Sequence, residues 1–135
     1  SPARDELQDD LVHGTETILV VEDEPIVSKL TRRLLEEAGY TVITAANGGE
    51  ALMICEREGD NIQLMITDVV MPGMSGRELA ERLVSICPGM KVLYMSGYTE
   101  NAIVHHGVLD QGLHFISKPF SVTEFTKKVR DILDS

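Results

Sequence analysis

The chain has 135 residues, with 12 Lys and Arg against 22 Asp and Glu, a net charge of −10. That length is one domain's worth, and 43% hydrophobic with 25% charged residues suits a globular fold rather than a disordered one. The acidic balance disfavours direct nucleic-acid binding, which calls for a basic face. Two cysteines, Cys55 and Cys87, make no disulfide framework and read as free thiols of a reducing compartment. No apolar run reaches the ~18 residues of a membrane span, and no signal-peptide pattern opens the chain.

Residues 1–14 stand apart, with Asp5, Glu6, Asp9 and Asp10 against Arg4 and little apolar content. They read as an acidic linker or frayed arm, and the folded domain is expected over residues 15–135. A start at Ser1 rather than Met leads to the expectation of a piece of a longer protein.

From Thr15 the pattern alternates. Ile18-Leu19-Val20-Val21 reads as a strand and is followed by Glu22-Asp23-Glu24-Pro25. Pro25 suits a first helical turn, Ile26, Leu30, Leu34 and Leu35 recur at helical spacing, and Gly39 stops the helix. Residues 40–45 are β-branched and short, a strand. Residues 48–58 form a helix with Ala51, Leu52 and Cys55 on one face. Residues 62–67 are the third strand, ending at Asp68, before a Gly- and Pro-rich loop through Met71-Pro72-Gly73-Met74-Ser75-Gly76. A helix over 77–85 turns Leu79, Leu83 and Ile86 inward, and Cys87-Pro88-Gly89 breaks it. Residues 92–95 are the fourth strand, 101–109 a weaker helix and 115–117 a fifth strand. Ser121-Val122-Thr123-Glu124 is a capping box that opens a last helix with Phe125, Val129, Ile132 and Leu133 inward. Met53, Met65, Met90 and Met95 read as core filler.

Strand runs that are apolar without alternation are buried on both faces, the mark of a parallel sheet with helices on each side. The fold expected is α/β, a doubly wound five-stranded parallel sheet with five helices. In such sheets the site lies beyond the carboxyl ends of the strands. That rule gathers Glu22 and Asp23 after strand one, Asp68 after strand three, Ser96 at the end of strand four and Lys118 after strand five.

Three carboxylates in one place repel unless a cation sits between them. Oxygen ligands of this charge suit Mg²⁺ or Mn²⁺ rather than zinc. A carboxylate can also be a nucleophile that forms an acyl phosphate, whose oxygens then want a cation, a donor hydroxyl and a fixed positive charge. Taken singly, each residue is as well explained by a wet strand end; their convergence is what points to a site.

Four stretches in order carry a resemblance: Val20-Val21-Glu22-Asp23-Glu24, then Ile66 to Gly76, then Tyr94-Met95-Ser96-Gly97-Tyr98, then Lys118-Pro119-Phe120. Together they resemble the receiver domain of two-component response regulators, a flavodoxin-like (βα)5 fold. The resemblance implies that Asp68 accepts a phosphoryl group from a phosphohistidine, and that Asp23, Asp68 and the Val70 backbone carbonyl bind Mg²⁺, with Glu22 acting through water. It implies that Ser96 bonds the phosphoryl oxygen, that Lys118 pairs with the modified Asp68 across a cis Lys118–Pro119 bond, and that Gly97 leaves room for the donor. Phe115 falls at the switch-aromatic position, where plain core packing explains it equally well. Phosphorylation would draw Ser96 inward, let Phe115 rotate and shift the surface of the fourth helix, fifth strand and fifth helix.

Glu22 stands where Asp is frequent, and Val70 and Tyr98 stand two past Asp68 and Ser96. The bulk and apolarity of the last two predict slow loss of the phosphoryl group, over many minutes or more. The histidines lack metal spacing, His105 and His106 facing different ways on one helix. Lys127, Lys128 and Arg130 suit a helix C-terminus or a partner contact.

The lead-in Gly14-Thr15-Glu16-Thr17-Ile18-Leu19 and the stretch Tyr94 to Thr99 are similar to C-terminal receivers of hybrid sensor histidine kinases; a stand-alone single-domain regulator is the alternative. The implied partner is a histidine kinase dimerisation domain bearing phosphohistidine, or a histidine phosphotransfer protein. It would dock near Pro25, Ile26 and Lys29 and the Lys118–Phe120 loop. A weak homodimer is a further candidate; no nucleic acid or membrane contact is expected. The chain is not expected to be a classified enzyme, catalysing only its own phosphorylation and dephosphorylation. Its place would be cytoplasmic, with a parent that could be membrane-anchored. An aspartyl-phosphate phosphatase reading is weakened by Val70, where a second Asp would serve as general acid. A flavodoxin-like cofactor binder lacks a Gly-rich phosphate loop after the first strand.

Overall fold

Five short strands pair in parallel in the computed structural model, which describes residues 13–96, 114–117 and 120–135. In chain order they are β1 (Thr17–Val21), β2 (Thr41–Ala45), β3 (Leu64–Asp68), β4 (Lys91–Ser96) and β5 (His114–Ser117). The helices are α1 (Pro25–Glu37), α2 (Gly48–Glu58), α3 (Gly76–Ile86) and α4 (Val122–Asp134), the last being the fifth helix of the sequence reading. Residues 1–12 of the arm expected over 1–14, the weak helix over 101–109, Gly97, Tyr98, Lys118 and Pro119 lie outside the described residues, while Gly14 is already tied to the fold through its N–H to the Ala38 carbonyl at 3.0 Å.

The sheet order is β2-β1-β3-β4-β5. The connections reverse direction once, beside β1, and so leave a crevice at the carboxyl ends of β1 and β3. Apolar side chains leave both faces of the central strands. Ile18, Val20, Leu64 and Ile66 pack with Leu35, Phe125, Val129 and Ile132 of α1 and α4. Leu19, Val21 and Met65 pack on the other side with Ala51, Cys55, Leu79 and Leu83 of α2 and α3. This explains why β1 and β3 show no polar alternation. The edge strands β2 and β5 are less buried, with most of their residues half-buried.

The helix starts are held by their own sequence. Asn47, Ser75 and Ser121 each accept a hydrogen bond from the backbone N–H three residues on, satisfying donors that the first turn leaves open. Pro25 occupies the first turn of α1, and Gly39 ends it with φ of 101°. Two expectations are corrected, for Met53 and for the start of the third strand. Met53 is 55% exposed rather than core. On α1 the buried positions are Thr31 and Leu35, while Ile26 and Leu30 are 76% and 56% exposed. The inward stripe is thus rotated from the most apolar one, and Thr31 enters it by donating its hydroxyl to the Val27 carbonyl at 2.9 Å. The third strand begins at Leu64 rather than Ile62, because a 3-10 turn over Gly59–Asn61 holds Ile62 through its N–H to the Gly59 carbonyl.

Candidate functional site

The register carries the site. Val21 pairs with Thr67 across β1 and β3, so the next residues, Glu22 and Asp68, lie side by side where the strands end. Both are buried, at 3% and 6% exposure, while Asp23 is exposed. One carboxylate oxygen from each of Glu22, Asp23 and Asp68 lies within 4.8 Å of the other two. At that spacing each pair of full charges repels by about 3 kcal/mol at an effective dielectric constant of about 20. A hard divalent cation among the three oxygens removes the repulsion, and the donor set fits Mg²⁺ by ligand type and charge. Access is open, since Asp23 lines two neighbouring clefts, of about 300 and 670 Å³.

Backbone hydrogen bonds fix this edge. The Glu22 N–H donates to the Ala45 carbonyl and the Val69 N–H to the Met95 carbonyl, both at 3.0 Å. The Glu24 N–H donates to Glu22 Oε1 at 3.3 Å, holding the turn into α1 against the buried carboxylate. Thr67, itself fully buried, donates its hydroxyl to the Asp68 carbonyl at 3.0 Å. The loop after β3 then folds back: the Gly76 N–H donates to the Val69 carbonyl at 2.8 Å, and Gly73 takes φ of 84°, where glycine is free of strain. A Cβ on Gly76 would overlap the Asp68 carbonyl oxygen, so only glycine lets the first turn of α3 seat there. Thr67 and Gly76 were missed as positioning residues in the sequence. The available signal was the Gly after Ser75, at the point where a loop of fixed length must return to the strand it left.

Ser96 ends β4, fully buried; its predecessor Met95 pairs with Asp68, and Ser96 pairs with Ser117. It therefore shares the edge on the strand next to Asp68. Phe115 pairs with Tyr94 in the register and is half-buried against the α2–α3 side of the core. Val70 is 57% exposed. Lys118 lies outside the described residues, one past Ser117. The structure thus brings together Glu22, Asp23 and Asp68, places Ser96 beside them by register, and leaves Lys118 to the sequence.

Comparison with known proteins agrees with this geometry. Residues 18–130 match the response regulator receiver domain. The sensor kinase CckA of Brucella abortus is 39% identical over 121 residues, 90% of this chain, which spans only 13% of that kinase's length. The response regulator receiver protein CpdR of the same organism is 31% identical over 116 residues, covering 86% of this chain and 95% of CpdR. The crystal structure of the receiver domain from the hybrid histidine kinase CckA superposes with a TM-score of 0.72 at 32% identity, covering 87% of this chain and 98% of that one. With a carboxylate cluster at the switch point of a 2-1-3-4-5 sheet and a family match over most of its length, the chain belongs to the response regulator receiver domains of two-component systems.

Proposed function

We propose that Asp68 is the phosphoacceptor of a phosphorelay. The observation that carries this is the cluster itself: Asp68, almost wholly buried, with Glu22 and Asp23 within 4.8 Å at the open edge of the sheet. An Asp68 carboxylate oxygen would attack the phosphorus of a phosphohistidine in line. The new P–O bond forms as the P–N bond breaks, and the electron pair stays on the imidazole nitrogen. Glu22, Asp23 and Asp68, with the Val70 carbonyl, would hold Mg²⁺, which when bound would neutralise charge on the phosphoryl oxygens. The Ser96 hydroxyl donates to a phosphoryl oxygen, Lys118 supplies the fixed positive charge that the family resemblance implies, and Phe115 reports the change to the β5–α4 face.

The donor is a helical phosphohistidine domain of a histidine kinase, or a phosphotransfer protein. Ile26 and Leu30 support this reading, because they place two large apolar side chains in solvent on α1, directly after the carboxylate turn. The similarity to CckA supports a receiver of a hybrid sensor histidine kinase; the proposed place is the cytoplasm, the chain itself catalysing only its own phosphorylation and dephosphorylation. CpdR, matched over 95% of its length, supports a single-domain regulator as the second reading. Incubation with acetyl phosphate and Mg²⁺ followed by intact mass measurement tests the chemistry. The expected result is a gain of one phosphoryl group that is lost in Asp68→Ala. A gain that survives Asp68→Ala overturns the assignment.

A further inference from the structure

Far from the carboxylates, the two cysteines meet. Cys55 lies on the inner face of α2 and Cys87 is the C-cap residue of α3, at 2% and 7% exposure. The Cys87 thiol donates to the Cys55 carbonyl at 3.8 Å, which sets its sulfur against the last turn of α2. Gly59 makes the niche. A side chain there would begin 3.7 Å from the Cβ of each cysteine and overlap the Cys87 sulfur. Core packing asks only for small apolar side chains here; two buried cysteines set around one glycine niche are a more specific arrangement. Cys87 also lines a cleft of about 390 Å³ with Gly59, Asp60, Pro88 and Gly89, an approach for a small reagent.

We infer that Cys55 and Cys87 form a thiol–disulfide site whose co-reactant is a low-molecular-weight disulfide. The Cys87 sulfur, after losing its proton, attacks one sulfur of the small disulfide, forming a mixed disulfide and releasing one small thiol. The Cys55 sulfur, also deprotonated, then attacks the Cys87 sulfur and expels the second small thiol. The two cysteines lose two electrons and two protons together, and the small disulfide is reduced to two thiols. Burial pushes the Cys55 thiol up to about 11 and raises Cys87 as well, so the exchange runs through a small thiolate fraction and quickens as pH rises. The bond would join the end of α2 to the end of α3, closing a loop that contains β3, Asp68 and all of α3.

The test is equilibration of the whole chain with glutathione and glutathione disulfide at pH 8, folded and in urea. The expected product has a mass lower by two hydrogen atoms, a Cys55–Cys87 link in non-reducing peptide maps, and full reversal by dithiothreitol. The effective concentration of the pair should be at least about tenfold higher folded than in urea. Cys55→Ser and Cys87→Ser should each stop at a mixed disulfide or remain reduced. A folded wild type that keeps both thiols reduced, that stops at mixed disulfides, or that links no better than the unfolded chain overturns the inference.

Discussion

Arg130 shows how one residue can tie distant parts of the chain. Its guanidinium donates to Glu16 Oε1 at 3.0 Å, to Asp134 at 2.8 Å and to the Tyr40 hydroxyl at 3.4 Å. Arg130 beside it holds the Glu16 carboxyl at about 2, below the usual 4.5. Because the folded value is depressed, the pair's contribution is present above pH 4.5 and is lost as pH falls towards 2. Glu16→Gln should therefore lower stability by about 1 kcal/mol at pH 7, and the difference from wild type should shrink in melts taken between pH 4.5 and 2. None of this was legible in the sequence, which read Arg130 as a charge for a helix end. The two partners stand 114 residues apart, and no local spacing links them. The carboxylates were legible for the opposite reason: a general rule about strand ends names their location before any contact is known.

Among the elements, α3 is the one seated most exactingly. Its first residue, Gly76, touches the backbone of Asp68, whereas Gly89, after the helix, has open space around it. Gly76→Ala should cost about 1–3 kcal/mol in urea unfolding, while Gly89→Ala should stay within about 0.5 kcal/mol of wild type. Equal effects would remove the close approach as the reason for glycine at the start of α3. Two helix starts were legible from Pro25 and the Ser121 capping box, because a cap acts within one turn and leaves its mark in adjacent letters; the Asn47 and Ser75 caps carry the same mark and were passed over. The rotation of α1 could not. Periodicity marks an apolar stripe but does not say whether sheet, solvent or partner receives it, and Thr31 hides in the true stripe by bonding its hydroxyl to its own helix.

At the scale of the molecule, the five strand runs and their right-handed connections left few topologies, which is why the doubly wound sheet was legible. Which side a partner approaches depends on surface that folding does not bury. The exposed pair on α1 gives that side a test. Ile26→Ser with Leu30→Ser should leave stability within about 0.5 kcal/mol and labelling by acetyl phosphate unchanged, yet slow transfer from a phosphohistidine domain by about tenfold or more. Unchanged transfer would move the docking face elsewhere.

The tie at Arg130 also fixes where neighbouring sequence can attach. The lead-in at His13 to Glu16 is held by α4, and the closing turn of α4 is held by Lys91, whose ammonium donates to the carbonyls of Ile132 and Leu133. Both attachment points therefore sit at the amino ends of the parallel strands, a full sheet length from Asp68. With His13–Glu16 and the end of α4 on the side away from the carboxylates, sequence joined to either would leave the carboxylate edge uncovered. Relatives that devote 13% or 95% of their length to the same unit are what such wiring permits.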